Sequence, residues 1–249
     1  MFDANTTRDK IIANIKNWFE TNAPKASAVI GISGGKDSTV AAALLVRALG
    51  AQRVIGVTMP NGIQPDIKDS EQIINVLGIR RININIKGSV CEILNELNFE
   101  HLPVSDDCIV NVQPRIRMAS LYAVAQCLPE GGIVINTCNR SEDYVGYATK
   151  FGDNAGDISI LGNLLVSEII AIGDIMTEIP TELVHKAPSD GLWGDTDEIR
   201  FGYTYANLED YIKKGTTGDP DIDAKILKMH KASRHKYEPM PVLCSQTEV

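Results

Sequence analysis

Apolar residues recur along this chain in short runs that are separated by glycine, proline and polar residues. Four of these runs have the length and β-branched content of strands, at 28–32, 54–59, 81–86 and 133–137. Between them, apolar residues at helical spacing predict helices over 39–49, 69–77, 89–98 and 115–128. A further amphipathic helix precedes the first strand, with an apolar face made of Ile11, Ile12, Ile15, Trp18 and Phe19. This alternation predicts an α/β fold, a doubly wound parallel sheet flanked by helices.

The chain after the fourth strand is predicted to consist of loops and helices. Segments 151–160 and 189–197 are polar, contain several glycine and aspartate residues, and predict loops. Helices are predicted over 164–176, 208–213 and 221–232. No stretch with the composition of a linker divides the chain, so we expect residues 1–249 to form a single domain.

Composition narrows the class of protein. Lys and Arg number 24 against 32 Asp and Glu, and the net charge of −8 argues against nucleic-acid binding. The five cysteines are scattered and contain no C-x-x-C pair, which is typical of a reduced, cytoplasmic protein. No apolar run approaches the ~18 residues of a membrane span, and the first ten residues are polar, so we expect no membrane partner.

The strongest chemical signal is a polar loop between the first strand and the helix that follows it. Its two glycines permit positive φ and close approach of an anion, and the helix start offers unpaired N–H groups. The two hydroxyls add donors, the lysine adds a positive charge, and the aspartate is a ligand for Mg²⁺. The spacing differs from a Walker A loop, but every position suits a phosphate and a metal ion, with an ordinary capped glycine turn as the alternative. The loop consists of Ser33, Gly34, Gly35, Lys36, Asp37 and Ser38.

A second polar cluster is expected at the same edge of the sheet, because the carboxyl ends of parallel strands meet there. Thr137 ends the predicted fourth strand and Glu142 follows it, and Glu142 is a candidate Mg²⁺ ligand beside Asp37. The alternative for Ser141 and Glu142 is a helix N-cap followed by an acidic residue with no other role.

Charged residues elsewhere are further candidates. Arg115 and Arg117 stand two apart in a predicted helix, so they point in different directions and one of them is a candidate phosphate contact. Lys150 is a candidate partner of a phosphate or carboxylate, and Asp153 of a ribose hydroxyl or a ligand carboxylate. The basic stretch 233–236 is a candidate cover for an anionic ligand. In each case the alternative is a solvated surface charge or turn.

Together these strings resemble the ammonia-dependent NAD synthetase family, a branch of the ATP pyrophosphatases with an SGGxDS loop. The resemblance covers almost the whole chain and implies an adenine nucleotide alpha-hydrolase-like, Rossmann-like fold. It implies a homodimer whose dinucleotide site lies at the subunit interface. The reaction it implies joins ammonia to deamido-NAD with ATP and Mg²⁺, through a deamido-NAD adenylate, giving NAD, AMP and pyrophosphate. The strings that carry it are 33–38, 111–118, 139–142, 146–153, 197–198 and Tyr203.

The resemblance also implies roles for individual residues. Ser33, Asp37 and Ser38 would be closest to the chemistry, and Asp37 and Glu142 would hold Mg²⁺. Beyond the loop 33–38, the ATP contacts would come from Gln64, Arg117, Thr137 and Ser189. The contacts with deamido-NAD would come from Asn111, Arg115, Lys150, Asp153, Asp157, His235 and Lys236. The chain shows no glutaminase domain, so we expect free ammonia, or ammonia from another protein, as the nitrogen source.

The chain departs from the family pattern at three positions. Val166 stands where many members have a lysine, Ile160 where they often have proline, and Asp190 where they often have alanine. The missing lysine removes one expected phosphate contact, for which Lys36 or Lys186 is a candidate substitute.

Two alternative functions stay open on the sequence. One is another ATP pyrophosphatase, such as a tRNA-thiolating or GMP-synthesising enzyme, and the other is a nucleotide-binding sensor without turnover.

Overall fold

A sheet of five parallel strands, in the order β3-β2-β1-β4-β5, forms the centre of the molecule. The computed structural model describes residues 2–64, 67–186 and 197–243. The chain moves outward from β1 to β3 and then returns to the other side of β1, so the switch point of the doubly wound sheet lies between β1 and β4. The strands are β1 (Ser27–Gly31), β2 (Val54–Thr58), β3 (Arg80–Asn83), β4 (Gly132–Asn136) and β5 (Ile158–Ser159).

Helices cover both faces of this sheet. Up to the fourth strand they are α1 (Ala4–Asn22), α2 (Lys36–Leu49), α3 (Ile67–Leu77), α4 (Lys87–Phe99) and α5 (Asp106–Cys127). The later ones are α6 (Arg140–Val145), α7 (Val166–Asp174), α8 (Thr181–Val184), α9 (Asp197–Phe201), α10 (Tyr205–Lys214) and α11 (Pro220–Ser233). Within the described part of the chain, no helix has the length and apolar character needed to cross a membrane.

Successive residues of the central strands face opposite layers. Ala28 and Ile30 of β1 are fully buried in the core formed with α1, α2 and α7. Val29 points the other way and packs with Met118 and Leu121 of α5. Because both of their faces are covered, β1, β2 and β4 are largely apolar, and this pattern predicted a parallel sheet with helices on each side.

The start of α5 differs from the sequence prediction. The helix begins at Asp106 rather than at 115, because the Ser105 side chain accepts a hydrogen bond from Cys108 N and two acidic residues occupy the first turn. Asn111 and Pro114 therefore lie inside the helix instead of before it.

Segment 151–160 also differs, because it contains the short strand β5 where the sequence predicted only a loop. The two residues of β5 pair with Ile135 and Asn136 of β4. The predicted loop 189–197 lies outside the described residues except for Asp197, which begins α9.

A separate apolar cluster buries the helices of the C-terminal part against α6. Val166, at the position where the family resemblance led us to look for a lysine, is 5% exposed in this cluster. The cluster consists of Val145, Val166, Phe201, Tyr203, Tyr205, Leu208 and Ile226.

Candidate functional site

A cavity of about 690 Å³ opens at the carboxyl ends of β1 and β4. Ile32 and Ser33, which follow β1, line one wall, and Thr137 and Cys138, which follow β4, line the other. This is the switch point of the sheet, where open α/β folds bind ligands, and the volume suits a ligand of nucleotide size.

The loop after β1 is shaped by its own hydroxyl groups. Ser33 Oγ accepts a hydrogen bond from Gly35 N over 3.2 Å and lies 3.1 Å from Ser38 Oγ. Ser38 Oγ in turn donates to Gly35 O. These contacts hold the turn against the N-terminus of α2, where the first N–H groups of the helix and its dipole favour an anion.

Gly34 is confined to glycine for two reasons. Its φ of +78° lies in the left-handed region. A Cβ at this position would also stand 2.6 Å from the Cβ of Asp69, because the start of α3 packs directly on the loop. Gly34 therefore contributes the shape of the loop, while Gly35 lines the cavity itself.

Lys36 and Asp37 form an ion pair on the cavity wall. Lys36 Nζ lies 2.9 Å from Asp37 Oδ2, and the lysine is only 4% exposed. The ammonium also stands 5.8 Å from the centre of the Tyr205 ring, within the range of a cation–π contact.

Asn139 connects this ion pair to α6, the helix that carries Glu142. Its Nδ2 donates to Asp37 Oδ1 over 3.1 Å, while its Oδ1 accepts from Glu142 N and caps the helix. The cap is thus Asn139 and not Ser141, which instead accepts from Val166 N. Glu142 lies in the first turn of a helix, as the alternative interpretation expected, but it also lines the cavity.

Glu142 has a strongly perturbed carboxyl group. Burial among protein atoms and, next, the nearby Asp37 carboxylate raise the pKa of Glu142 from 4.5 to about 8. Two carboxylates held together at a cleft in this way are a common arrangement in functional sites.

This pair of carboxylates fits the Mg²⁺ predicted from the sequence. A dication would relieve the repulsion between Asp37 and Glu142 that raises the Glu142 pKa. Among the described residues, no three His, Cys, Asp or Glu side chains stand close enough to enclose an ion. Asp37 and Glu142 are therefore the candidate donors, since Mg²⁺ sites commonly combine one or two carboxylates with phosphate oxygens.

Most of the residues predicted to contact ATP line the cavity. Arg117 does so with its Nε hydrogen bonded to Met59 O at 3.2 Å, and burial lowers the pKa of its guanidinium. Ser189 lies outside the described residues. The predicted ATP residues on the cavity wall are Ser33, Gly35, Lys36, Asp37, Ser38, Gln64, Arg117 and Thr137.

The residues predicted to contact deamido-NAD divide into two groups. Asn111, Asp153 and Lys236 line the cavity. The remaining four, Arg115, Lys150, Asp157 and His235, lie outside it in this structure.

Each cation of the outer group has a backbone partner. Arg115 Nε donates to Lys150 O over 3.1 Å, and Lys150 Nζ donates to His235 O over 2.6 Å. The Asp157 carboxylate accepts from Val134 N at 2.7 Å and from Tyr122 Oη at 3.3 Å, so it secures the β4 strand on the side away from the loop 33–38. The roles of these residues toward a dinucleotide stay predictions.

A C-terminal basic strap, residues 234–237, lies across the end of α6. Arg234 Nη2 donates to the carbonyl oxygens of Asp143 and Tyr144, and Lys236 Nζ donates to those of Gly146 and Ala148, both at 2.8 Å. The strap thus neutralises the carbonyl end of the helix that positions Glu142.

Several polar residues on the cavity wall had no assigned role in the sequence prediction. Ser70 comes from α3, Tyr147 from the turn after α6, and Arg200 from α9. These residues are far apart in the sequence and lie on three separate elements of the fold. Only the tertiary fold identifies them.

The parallel sheet, the switch-point cavity and the glycine loop define a nucleotide-binding α/β protein. A family model described as NAD synthase matches residues 8–247. The chain is 39% identical over 207 residues to the NH(3)-dependent NAD(+) synthetase of Thermococcus sibiricus, covering 82% of this chain and 79% of that protein. It is 37% identical over 242 residues to the enzyme of the same name from Pyrococcus furiosus, covering 92% and 91%.

A solved structure of NMN synthetase from Francisella tularensis is also similar, with a TM-score of 0.88 and 33% identity over 97% of this chain and 99% of that one. The chain belongs to the NAD synthase family of ligases. This membership decides against a tRNA-thiolating or GMP-synthesising enzyme.

Proposed function

We propose that this protein catalyses the ATP-dependent amidation of deamido-NAD by ammonia, producing NAD, AMP and pyrophosphate. The observation that carries the proposal is the position of the SGGKDS loop. In a chain of the NAD synthase family, this loop opens α2 at the switch point and lines the same cavity as Glu142.

The chemistry needs activation of a carboxylate, which is a poor acceptor for ammonia. A nicotinate oxygen attacks the α-phosphorus of ATP, and the bond to pyrophosphate breaks. Ammonia then attacks the acyl carbon, loses a proton, and AMP leaves. Positioning and charge neutralisation suffice for such steps.

The residues of this chain supply those two factors. The N–H groups at the start of α2 and the hydroxyls of Ser33 and Ser38 would receive the pyrophosphate. Asp37 and Glu142 would hold Mg²⁺, which neutralises phosphate charge when bound. Arg117 and Lys236, both on the cavity wall, would add positive charge near the ligands.

A homodimer is part of the proposal, since the resemblance places the dinucleotide site between subunits. In support, three large apolar side chains are exposed between the end of α4 and the start of α5, with Phe99 at 76%, Leu102 at 53% and Ile109 at 39%. Light scattering of the purified protein measures its mass directly.

The free thiols of the described cysteines support the proposed cytoplasmic location.

The test is a product assay with ATP, Mg²⁺, ammonium and deamido-NAD. We expect NAD and AMP in equal amounts, with ammonium accepted far better than glutamine. ADP in place of AMP would contradict attack at the α-phosphorus. Binding of both nucleotides without AMP release would favour the sensor without turnover.

A second candidate is formation of NMN by amidation of nicotinate mononucleotide, the same chemistry on a smaller acid. It is favoured by the 33% identity and the TM-score of 0.88 to the Francisella NMN synthetase. Side-by-side measurement of kcat/KM for the mononucleotide and dinucleotide acids decides between them. We expect the dinucleotide to be preferred, because the relatives at 37–39% identity are named NAD synthetases.

A further inference from the structure

Lys36 occupies an unusual place for a lysine. It stands two positions after Gly34 in the loop 33–38, it is 4% exposed, and it lines the cavity. Its contacts there are the Asp37 carboxylate at 2.9 Å and the Tyr205 ring at 5.8 Å. A long, flexible cation seldom gives up solvent unless it is paired.

The surroundings of this ammonium are acidic. Asp37, Glu142 and Asp197 line the same cavity, and Asp197 is itself only 4% exposed. Lys36 is therefore a buried cation in an acidic part of the site.

Both oxygens of Asp37 already have partners in this arrangement. Oδ1 accepts from Asn139 Nδ2 at 3.1 Å, and Oδ2 is taken by Lys36 Nζ at 2.9 Å. A carboxylate oxygen has lone pairs for a metal beside a neutral amide donor. A dication and an ammonium cannot share the same oxygen without strong repulsion at that distance.

We propose that Lys36 is an internal counter-ion that holds Asp37 until nucleotide arrives, so that the divalent cation binds with the nucleotide and poorly before it. The phosphates, delivered to the start of α2, give the ammonium a new anionic partner within reach of its side chain. Asp37 is then released to the metal. Lys36 has this role only if the metal pair of the proposed function exists.

The test is Mn²⁺ binding, followed by electron paramagnetic resonance, with and without α,β-methylene-ATP. Without nucleotide, we expect Lys36→Met to bind Mn²⁺ at least about tenfold more tightly than the wild type, because the competing charge is gone. With the analogue present, the Mn²⁺ affinity of the wild type should rise steeply and that of Lys36→Met should rise much less. The reason is that the coupling between Mn²⁺ and the nucleotide depends on the Lys36 side chain. Lys36→Gln provides a second neutral variant should Lys36→Met fold poorly.

Lys186→Met is the matched control. Lys186 also lines the cavity, and its Nζ lies 2.6 Å from Oδ2 of Asp69, a carboxylate outside the metal pair. We expect its nucleotide-free Mn²⁺ affinity to equal that of the wild type. Adding Asp37→Asn to Lys36→Met should abolish the gain, which assigns the bound ion to this carboxylate.

The proposal is overturned if the neutral variants bind Mn²⁺ no more tightly than the wild type, or if wild-type affinity is the same with and without the analogue. Neither readout depends on turnover. A protein that gates Mn²⁺ in this way but forms no NAD would contradict the proposed function and leave the role of Lys36 intact.

Discussion

Asn139 Nδ2 donates to Asp37 Oδ1 over 3.1 Å and joins the loop after β1 to the helix start after β4, across 102 positions of sequence. The same side chain caps α6 through Glu142 N. One buried amide therefore fixes the relative position of both proposed metal ligands.

Asn139→Ala should lower both stability and turnover. Loss of the cap costs about 1 kcal/mol, and the loss of a buried hydrogen bond to a charged group adds about 1–3 kcal/mol. Ser105→Ala removes a comparable cap from α5 at a position that does not line the cavity, and it should lower stability alone. Denaturant unfolding and NAD formation measure the two effects, and an unchanged kcat in Asn139→Ala would reject the coupling role.

The sequence is sufficient to predict the four main strands and the loop 33–38, because each depends on local signals. A fully covered strand is apolar along its length, and the glycine loop combines several rare requirements within six positions. The start of α5 was also encoded locally, in Ser105 and the two aspartates after it, but Pro114 gave a competing signal for a first turn.

Other features depend on contacts that no local string contains. Ile158 and Ser159 form a strand only because β4 offers them a free edge. Lys150 points away from the cavity because the His235 carbonyl, 85 positions later, accepts its hydrogen bond. Side-chain direction in such loops is decided by the tertiary fold.

Asp37→Asn and Glu142→Gln should each reduce turnover by a factor of about 10² or more with the fold preserved, because each removes one negative ligand from a hard-cation site. Asp69→Asn, whose carboxylate pairs with Lys186 beside the same cavity, is the control and should have a much smaller effect. Steady-state rates at saturating Mg²⁺ check this. Near-normal rates in either metal-pair variant would reject the assignment.

The raised pKa of Glu142 gives stability a defined pH dependence in metal-free protein. The unfolded chain releases this proton near its ordinary pKa of 4.5, whereas the folded protein holds it until about 8. The contribution of Glu142 to stability is therefore fully present below the lower value and is lost as pH rises through the upper one.

Glu142→Gln removes this dependence, because glutamine does not titrate. With a chelator present, we expect the melting temperature of wild type relative to Glu142→Gln to fall as pH is raised from about 5 to about 8.5. Differential scanning fluorimetry across that range measures the difference. A constant offset between the two proteins would show that Glu142 ionises normally.

Gly146→Ala should be strongly destabilising, because two penalties combine. The φ of +68° costs a residue with a Cβ about 1–2 kcal/mol. The new Cβ would also stand 2.0 Å from the Cβ of Ser233, where α11 leads into the strap over α6. Gly215→Ala is a matched control, since it has a φ of +82° but open space around the added atom. Equal losses of unfolding free energy in the two variants would contradict close packing at Gly146.

Arg115 and Lys150 should matter more for deamido-NAD than for ATP, because they lie outside the cavity that contains the loop 33–38. Alanine at either position removes a charge-assisted contact worth about 1.5–3 kcal/mol. That corresponds to roughly one to two decades of affinity for the dinucleotide. Titration of each ligand against each variant measures this. Arg81→Ala is the control, because it loses an ion pair with Glu71 and a hydrogen bond to Thr58 Oγ1, both outside the cavity.

The two variants should also differ from one another. Lys150→Ala breaks the contact of its ammonium with His235 O and should loosen the strap, so its melting temperature falls as well. Arg115→Ala leaves that contact in place and should keep the wild-type melting temperature within a degree or two, because it loses a single exposed hydrogen bond.

The titrations have two outcomes that would contradict this division of roles. Equal weakening of ATP binding and deamido-NAD binding would assign both residues to the ATP site, and no change in either affinity would leave them as solvated surface charges. Because the proposed dinucleotide site lies between subunits, the mass of each variant must be measured alongside, so that a loss of affinity is not mistaken for dissociation of the dimer.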